Sequence, residues 1–294
     1  MYIYESLVFG GEEGLNILLI VNKQKDPGYK IAAEVVACIG DRAEIIIDQD
    51  GRKNITSAIY LEEETAYDKA DIILVLGGDG TMLSVAEKAS KRNIPVIGIN
   101  LGRLGFLADI ERDELENGLN KLFAGKYVIE ERMMLEAVLA GGEKTTAIND
   151  VVITRANSFL KILELDVYFD DEYVDDFKAD GIIIATPTGS TAYSLSAGGP
   201  IVDPSLDMMI VTPICPHKMY SRTLIAPPDK VITIKCKATS RDDAVVAADS
   251  TVLGKLRAGE TVTVRTSSDT LKLIRLEGAQ FFGALQKKLI KKET

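Results

Sequence analysis

The sequence predicts an α/β domain followed by a β-rich domain, with a last helix returning to the first. Three observations carry this expectation. Apolar runs alternate with segments of helical spacing as far as residue 126; beyond it strand-like runs follow with little helix; residues 279–292 are helical in spacing again.

Residues 1–14 show no clear period, and no element is assigned to them. Residues 15–21 form an apolar strand, and after Asp26-Pro27-Gly28 a helix follows with Ala32, Val35, Val36 and Ile39 at i, i+3, i+4 and i+7. Residues 43–47 read as a second strand, while 54–67 fit neither template. Ile72-Ile73-Leu74-Val75-Leu76 is a buried strand, and residues 82–91 repeat with helical spacing at Met82, Val85, Ala86 and Ala89. Residues 95–99 add a strand; Leu115, Leu119, Leu122 and Phe123 then mark an amphipathic helix that Gly125 ends. Strands alternating with helices imply a parallel sheet covered on both faces.

Past residue 126, strands are expected at 128–139, 147–154, 160–169, 181–186, 208–213, 231–235, 244–248, 261–266 and 271–276. Leu163, Leu165, Val167 and Phe169 alternate with Glu164, Asp166 and Tyr168, as in a strand with one wet face. Phe281, Phe282, Leu285, Leu289 and Ile290 share one side of the final helix. The expected domains are 1–127 with 279–294, and 128–278. There is no internal repeat and no low-complexity linker.

With 294 residues, 46% of them hydrophobic, the chain can bury a full core in two domains. A net charge of −10 argues against non-specific nucleic-acid binding and against an anionic membrane surface, so an anionic ligand must be held locally. Cys38, Cys215 and Cys236 lack metal-ligand spacing and fit a reducing cytoplasm, and a single histidine excludes His-rich metal sites. No run approaches the roughly 18 apolar residues that span a bilayer, and no export signal opens the chain; the expectation is a cytoplasmic protein.

Between the strand at 72–76 and its helix stands Gly77-Gly78-Asp79-Gly80-Thr81. Glycines there permit positive φ and close approach of a ligand to the backbone, and the helix N-terminus offers N–H groups to a phosphate. Read alone, this is also an ordinary turn. Asp79 sets it apart: a carboxylate repels phosphate unless a cation intervenes or the group acts as a base.

A longer segment, residues 186–200, carries six hydroxyls between Thr186 and Ser194. Hydroxyls and backbone amides grip ribose and phosphate oxygens, and Tyr193 offers a ring to a base. Asn149-Asp150 interrupts an apolar strand. Neighbouring strand residues face opposite ways, so the pair is either a bulge or strand end, or a ligand clamp on a kinked strand. His217 lies in a proline-bracketed loop and reads as a tie for loop backbone.

Gly77 to Thr81, Leu101-Gly102-Arg103-Leu104-Gly105-Phe106-Leu107, Asn149-Asp150, Asp180 to Pro200 and Pro213 to Arg222 occur in the order and spacing of the NAD kinases, which the chain resembles from about residue 15 to 276. The glycine turn is shared with diacylglycerol, sphingosine and phosphofructose kinases; the 186–200 segment is far more specific. The resemblance implies a Rossmann-like α/β domain, an all-β sandwich-like domain, and transfer of the γ-phosphoryl group of ATP to the 2′-hydroxyl of the adenosine ribose of NAD held between them. By that resemblance Asp79 is the general base, and Gly77, Gly78, Gly80 and Thr81 bind phosphate. Asp79, Gly80, Phe106, Asn149, Asp150, Lys161, Lys178, Asp180, Thr188, Thr191, Ala192, Tyr193, Ser194, Leu195, Ser196 and Thr251 contact NAD. Thr251 departs from the family, which often has glutamine there, and Asp150 is shorter than the glutamate of many relatives. No residue of the chain is assigned as a metal ligand; Mg²⁺ or another divalent cation accompanies ATP, and a homodimer or homotetramer is expected.

The residues agree with this on their own terms. Phosphoryl transfer needs positioning and charge neutralisation more than a strong nucleophile. Two rivals stay open at this level: a lipid kinase sharing the glycine turn, and a non-catalytic NAD(H) or NADP(H) sensor on the same scaffold.

Overall fold

The structure, a computed structural model, describes residues 14–102, 105–156, 162–218, 220–238, 240, 243–277, 281–286 and 288. It divides into two compact units, Met1–Glu131 with Leu271–Thr294, and Arg132–Thr270.

The first unit runs β1 (Asn16–Val21), α1 (Lys30–Ile39), β2 (Glu44–Ile47), β3 (Ile59–Tyr60), α2 (Glu63–Lys69), β4 (Ile72–Gly77), α3 (Asp79–Lys91), β5 (Val96–Asn100), β6 (Ile110–Glu111) and α4 (Leu115–Phe123). Its strands are parallel in the order β5-β4-β1-β2-β3. Every residue of β4 is buried, as a strand covered on both faces requires. Ile72, Leu74 and Leu76 pack with Ile31, Val35 and Ile39 of α1 and with Leu119 and Leu122 of α4. Met82, Val85, Ala86 and Ala89 are the buried stripe of α3, at the spacing expected. Asp26 explains where α1 begins: its carboxylate accepts from the N–H groups of Lys30 and Ala32, both at 2.9 Å. Gly125 adopts φ 68° just past α4, the left-handed close its sequence position predicts. The segment 54–67, which fitted neither template, divides between β3 and α2.

The chain enters the second unit along β7 (Tyr127–Leu139), and continues through β8 (Lys144–Ala147), β9 (Asp150–Arg155), β10 (Leu163–Phe169), β11 (Glu172–Ala179), β12 (Gly181–Ala185), α5 (Tyr193–Ser196), β13 (Met209–Ile214), β14 (Leu224–Ala226), β15 (Ile232–Cys236), β16 (Ala244–Ala248) and β17 (Thr251–Leu256). It leaves along β18 (Thr261–Leu276), and α6 (Phe281–Leu285) belongs to the first unit. In the second unit β11-β10-β15-β18 pair antiparallel, and β14-β13-β12-β9-β16-β17 form an antiparallel six-stranded sheet. Leu163, Leu165, Val167, Ile232, Ile234 and Val262 share one core with Val151, Ile153, Ile182, Ile184, Val211 and Val246, so residues of both sheets meet as in a sandwich.

Two expectations are corrected. The strand at 147–154 is two, β8 and β9, broken at Ile148-Asn149. The strands at 261–266 and 271–276 are one continuous β18. The 186–200 segment holds a 3₁₀ turn, Thr188–Thr191, and then α5. The expected final helix is described over α6 and lies otherwise largely outside the described residues.

Candidate active site

In the order β3-β2-β1-β4-β5 the chain lays strands outward from β1, then returns to place β4 on the other side of β1. Connections leaving the carboxyl ends of β1 and β4 diverge there, which opens a crevice at the point where α/β sheets bind ligands. Asn22 follows β1, and the glycine turn follows β4. The two are laced together: Asn22 N–H donates to Leu76 O at 2.8 Å, and Asn22 Nδ2 donates to Thr81 Oγ1 at 2.9 Å.

Above this point lies a cavity of about 790 Å³, lined by Asn22, Lys23, Gln24, Lys25, Gly78, Asp79, Gly80, Thr81, Ser84, Gly102, Gly105 and Lys288. Asp79 is the first residue of α3, so its carboxylate meets the positive end of the helix. It also accepts from Phe106 N–H at 3.0 Å and Leu107 N–H at 3.2 Å, and Lys288 Nζ stands 3.7 Å from Oδ2. Lys25 Nζ lies 3.0 Å from where a Cβ of either Gly78 or Gly102 would stand. Within a chain of net charge −10, the cavity gathers Lys23, Lys25 and Lys288 around one carboxylate. Lys23 is engaged with Asp48 and Asp50, which hold its ammonium strongly in the charged form.

The glycines serve close approach and not the positive φ expected of them. Gly77, Gly78 and Gly80 are absent from the left-handed residues, and Gly78 is extended at φ −148°. A Cβ on Gly77 would stand 2.3 Å from Thr81 Oγ1, and one on Gly105 only 2.0 Å from Asp79 Oδ1. Gly105→Ala is therefore expected to push the Asp79 carboxylate aside. If that carboxylate takes part in catalysis, a displacement of about 1 Å can cost roughly 10²-fold, so kcat should fall by that order with little change in KM. Steady-state kinetics checks it.

In the second unit Asp249 organises the break between β8 and β9. It holds φ 49°, and its carboxylate accepts from the N–H groups of Ile148 (3.0 Å), Asn149 (2.9 Å) and Asp150 (3.3 Å). Three consecutive amides turned to one side chain cannot serve a ladder, so the strand kinks here. Gly189 lets the next turn close down on this kink: a Cβ there would stand 2.1 Å from Asn149 O. Asp150 is buried, at 5% exposure, and accepts from Tyr193 N–H. Asn149, Asp150, Gly189, Tyr193 and Asp249 are thus one assembly.

Burial, followed by the charge of Asp249, pushes the Asp150 carboxyl up to about 7, against the smaller opposing effect of Tyr193 N–H. Folded Asp150 thus keeps its proton to a higher pH than the unfolded chain does. Its contribution is fully favourable below the ordinary carboxylate range, is lost as pH rises through about 7, and is a constant penalty above that. Asp150→Asn is expected to be more stable than the parent chain at pH 8 and little different at pH 4, as urea unfolding at both pH values would show.

The hydroxyls of 186–200 are largely spent within the protein. Thr186 Oγ1 donates to Ile148 O at 2.5 Å, Ser190 Oγ donates to Val202 O at 3.2 Å, and Ser194 Oγ pairs with Thr212 Oγ1 at 3.0 Å. Thr188 Oγ1 accepts from Arg132 Nη1 at 3.3 Å. Thr191, Ala192 and Leu195 are half-buried, whereas Tyr193 and Ser196 are exposed. Thr251, exposed, opens β17 two residues past Asp249. Asp180 and Lys178 lie elsewhere: Asp180 precedes β12 and Thr186 follows it, so about 20 Å of strand separates them. Asp180 pairs with Arg155 at 3.1 Å, and Lys178 with Glu164 at 3.2 Å. Lys161, Arg103 and Leu104 lie outside the described residues. His217 donates its backbone N–H to Lys178 O at 2.8 Å.

The sequence reading missed Asn22, Lys25, Lys288 and Asp249 as participants. Asn22 carried a signal, since it follows a strand of the same sheet; so did Asp249, which opens the Asp249-Ser250-Thr251 stretch compared with the family for Thr251 alone; Lys25 and Lys288 carried none. Among the described residues no three His, Cys, Asp or Glu side chains are grouped to hold a metal ion. No helix among them is long and apolar enough to cross a membrane.

A glycine-lined, lysine-flanked cavity at the switch point of a parallel sheet, with one carboxylate at its floor, defines a phosphate-handling enzyme of the nucleotide-kinase type. Residues 17–127 match the ATP-NAD kinase N-terminal domain, and residues 148–276 the ATP-NAD kinase C-terminal domain. An NAD kinase of Acetivibrio thermocellus is 39% identical over 282 residues, covering 94% of this chain and 97% of that one. An NAD kinase of a Thermoanaerobacter species (strain X514) is 42% identical over 277 residues, covering 92% and 97%. Among solved structures, yeast NADH kinase complexed with NADH superposes with a TM-score of 0.85 at 25% identity, covering 96% of this chain and 89% of that one. An Archaeoglobus fulgidus NAD kinase in complex with ATP shares the fold, with a TM-score of 0.73 at 24% identity and coverage of 93% and 98%.

The chain belongs to the ATP-NAD kinase family. It is an enzyme, a kinase that transfers phosphate from ATP to NAD; the lipid-kinase and sensor readings find no support.

Proposed function

We propose that the chain phosphorylates the 2′-hydroxyl of the adenosine ribose of NAD, with Asp79 as general base and a divalent cation arriving as part of the ATP substrate. The observation that carries this is Asp79 itself. Its carboxylate is held by Phe106 N–H and Leu107 N–H beside a cavity whose other walls are glycines, lysines and the polar side chains of Asn22, Gln24, Thr81 and Ser84. Little covalent chemistry is asked of the protein. Gly77, Gly78, Gly80 and Thr81 with Lys25 hold phosphate oxygens, and Asp79 accepts the hydroxyl proton, a step that contributes about 10²- to 10⁴-fold.

The second unit grips the dinucleotide through the Asn149-Asp150 assembly with residues 188–196 and Thr251, and through Lys161, Lys178 and Asp180. Burying Asp150 beside Asp249 opposes stability at neutral pH, and a ligand hydrogen bond is a reason to keep such a pair. The free thiols of Cys38, Cys215 and Cys236 suit a reducing cytoplasm. A homodimer or homotetramer is the working assembly, which light scattering during gel filtration reads directly. The deciding experiment incubates the purified chain with NAD, ATP and Mg²⁺ and measures NADP with an NADP-specific dehydrogenase. Omission of Mg²⁺ should abolish the signal, and absence of NADP from the complete mixture would overturn the proposal.

A further inference from the structure

Lys23 and Lys288 are charged groups of the cavity that the chemistry above leaves unused, and Lys23 is engaged with Asp48 and Asp50. Lys288 lies just beyond α6, with Nζ 3.7 Å from Asp79 Oδ2 and 3.8 Å from the centroid of the Phe106 ring. Phe106 supplies the N–H that aims the same carboxylate, and its ring lies 6.0 Å from that of Phe281 in α6. The C-terminal segment therefore meets the loop that positions the base twice, through an aromatic contact and through a cation on the ring face.

A permanent salt bridge would oppose a general base, because it stabilises the carboxylate that must take up a proton. The geometry is looser than that. At 3.7 Å the ammonium attracts Oδ2 without a direct hydrogen bond, so the oxygen's proton-accepting lone pair stays available. The Lys288 side chain is 33% exposed and ends on the same cavity as Gly78, Gly80 and Lys25. It is poised between the base and the space a triphosphate would fill.

We propose that Lys288 is a further catalytic residue, the cation that passes from Asp79 to the transferred phosphoryl group during the reaction. This rests on the reading of Asp79 as the base. In the step, the ribose O2′–H bond breaks and its proton goes to Asp79, which becomes neutral. The O2′–P bond forms, while the bond from phosphorus to the bridging oxygen breaks and ADP departs with the electron pair. As Asp79 loses its charge, its hold on the ammonium ends. The phosphoryl oxygens, which bear charge through the loose transition state, are then the anion for Lys288 to neutralise. The same lysine thus guards the ionised base at rest and stabilises the group in flight.

The test is steady-state kinetics of the full chain, with NAD and Mg-ATP varied separately, for Lys288→Met and Lys288→Arg. Lys288→Met keeps the length of the side chain and removes the charge. It should lower kcat by about 10²-fold and raise KM for ATP, with KM for NAD held within about twofold. Lys288→Arg should recover most of the lost kcat. A Lys288→Met enzyme with kcat near that of the parent would overturn the inference. So would an arginine variant as impaired as the methionine one, since shape and not charge would then matter. Parent enzyme that makes no NADP would sink the underlying reading as well; active parent with an unaffected Lys288→Met sinks this inference alone.

Discussion

Asp79→Asn should lower kcat by about 10²- to 10⁴-fold while leaving affinity for NAD within a few-fold. The substitution is nearly isosteric: an amide oxygen in the place of Oδ1 still accepts from Phe106 N–H at 3.2 Å and Leu107 N–H at 3.2 Å, while the 3.0 Å bond from Phe106 N–H to Oδ2 is lost. The loop at 105–107 therefore keeps its anchor. What disappears is the ability to take a proton, together with the attraction across 3.7 Å to Lys288. Turnover by coupled assay and affinity by calorimetry separate the two effects. Near-normal turnover would remove Asp79 from the base role, and a collapse of affinity would make it a binding residue instead.

The second large effect is expected at Asp249. Asp249→Ala leaves the N–H groups of Ile148, Asn149 and Asp150 without their acceptor, and each buried amide left unsatisfied costs about 1–3 kcal/mol. Against this, a negative neighbour of Asp150 is removed, and the Asp150 carboxyl should relax toward its ordinary range. The net expectation is destabilisation of roughly 2–5 kcal/mol, with KM for NAD rising more than kcat falls because the kink is what presents Asn149. Asp249→Asn retains an acceptor and tolerates the left-handed backbone, so it should regain most of the stability. Urea unfolding together with NAD kinetics decides. Loss under about 0.5 kcal/mol in Asp249→Ala would show that the three amides find other partners.

Which parts of this fold could be read from the sequence follows from the sheets themselves. β3, β11, β14 and β17 end their sheets, and β6 and β8 lie beside a single neighbour. Five of these six were not foreseen, and β8 was met only at its last residue, Ala147. An edge strand has one side free, carries charge there to discourage further pairing, and so loses the apolar signature. Glu172-Tyr173-Val174-Asp175-Asp176 in β11 shows this. Interior strands such as β4 and β12 are buried at every residue and announce themselves as unbroken apolar runs. The glycine turn was legible because strand, turn and helix are contiguous. The roles of Asp249 and Lys288 were not, since each acts on residues 99 or more positions away in the chain, and no local pattern records such a partner.

The inward-turned hydroxyls of Thr186, Ser190 and Ser194 have a thermodynamic corollary. On the proposed function this is a recognition segment, and one pinned by its own internal bonds before any ligand arrives has little motion left to surrender on binding. Dinucleotide capture should therefore resemble a key entering a cut lock, with a modest heat-capacity change and amide exchange across 186–196 already slow in the apo enzyme.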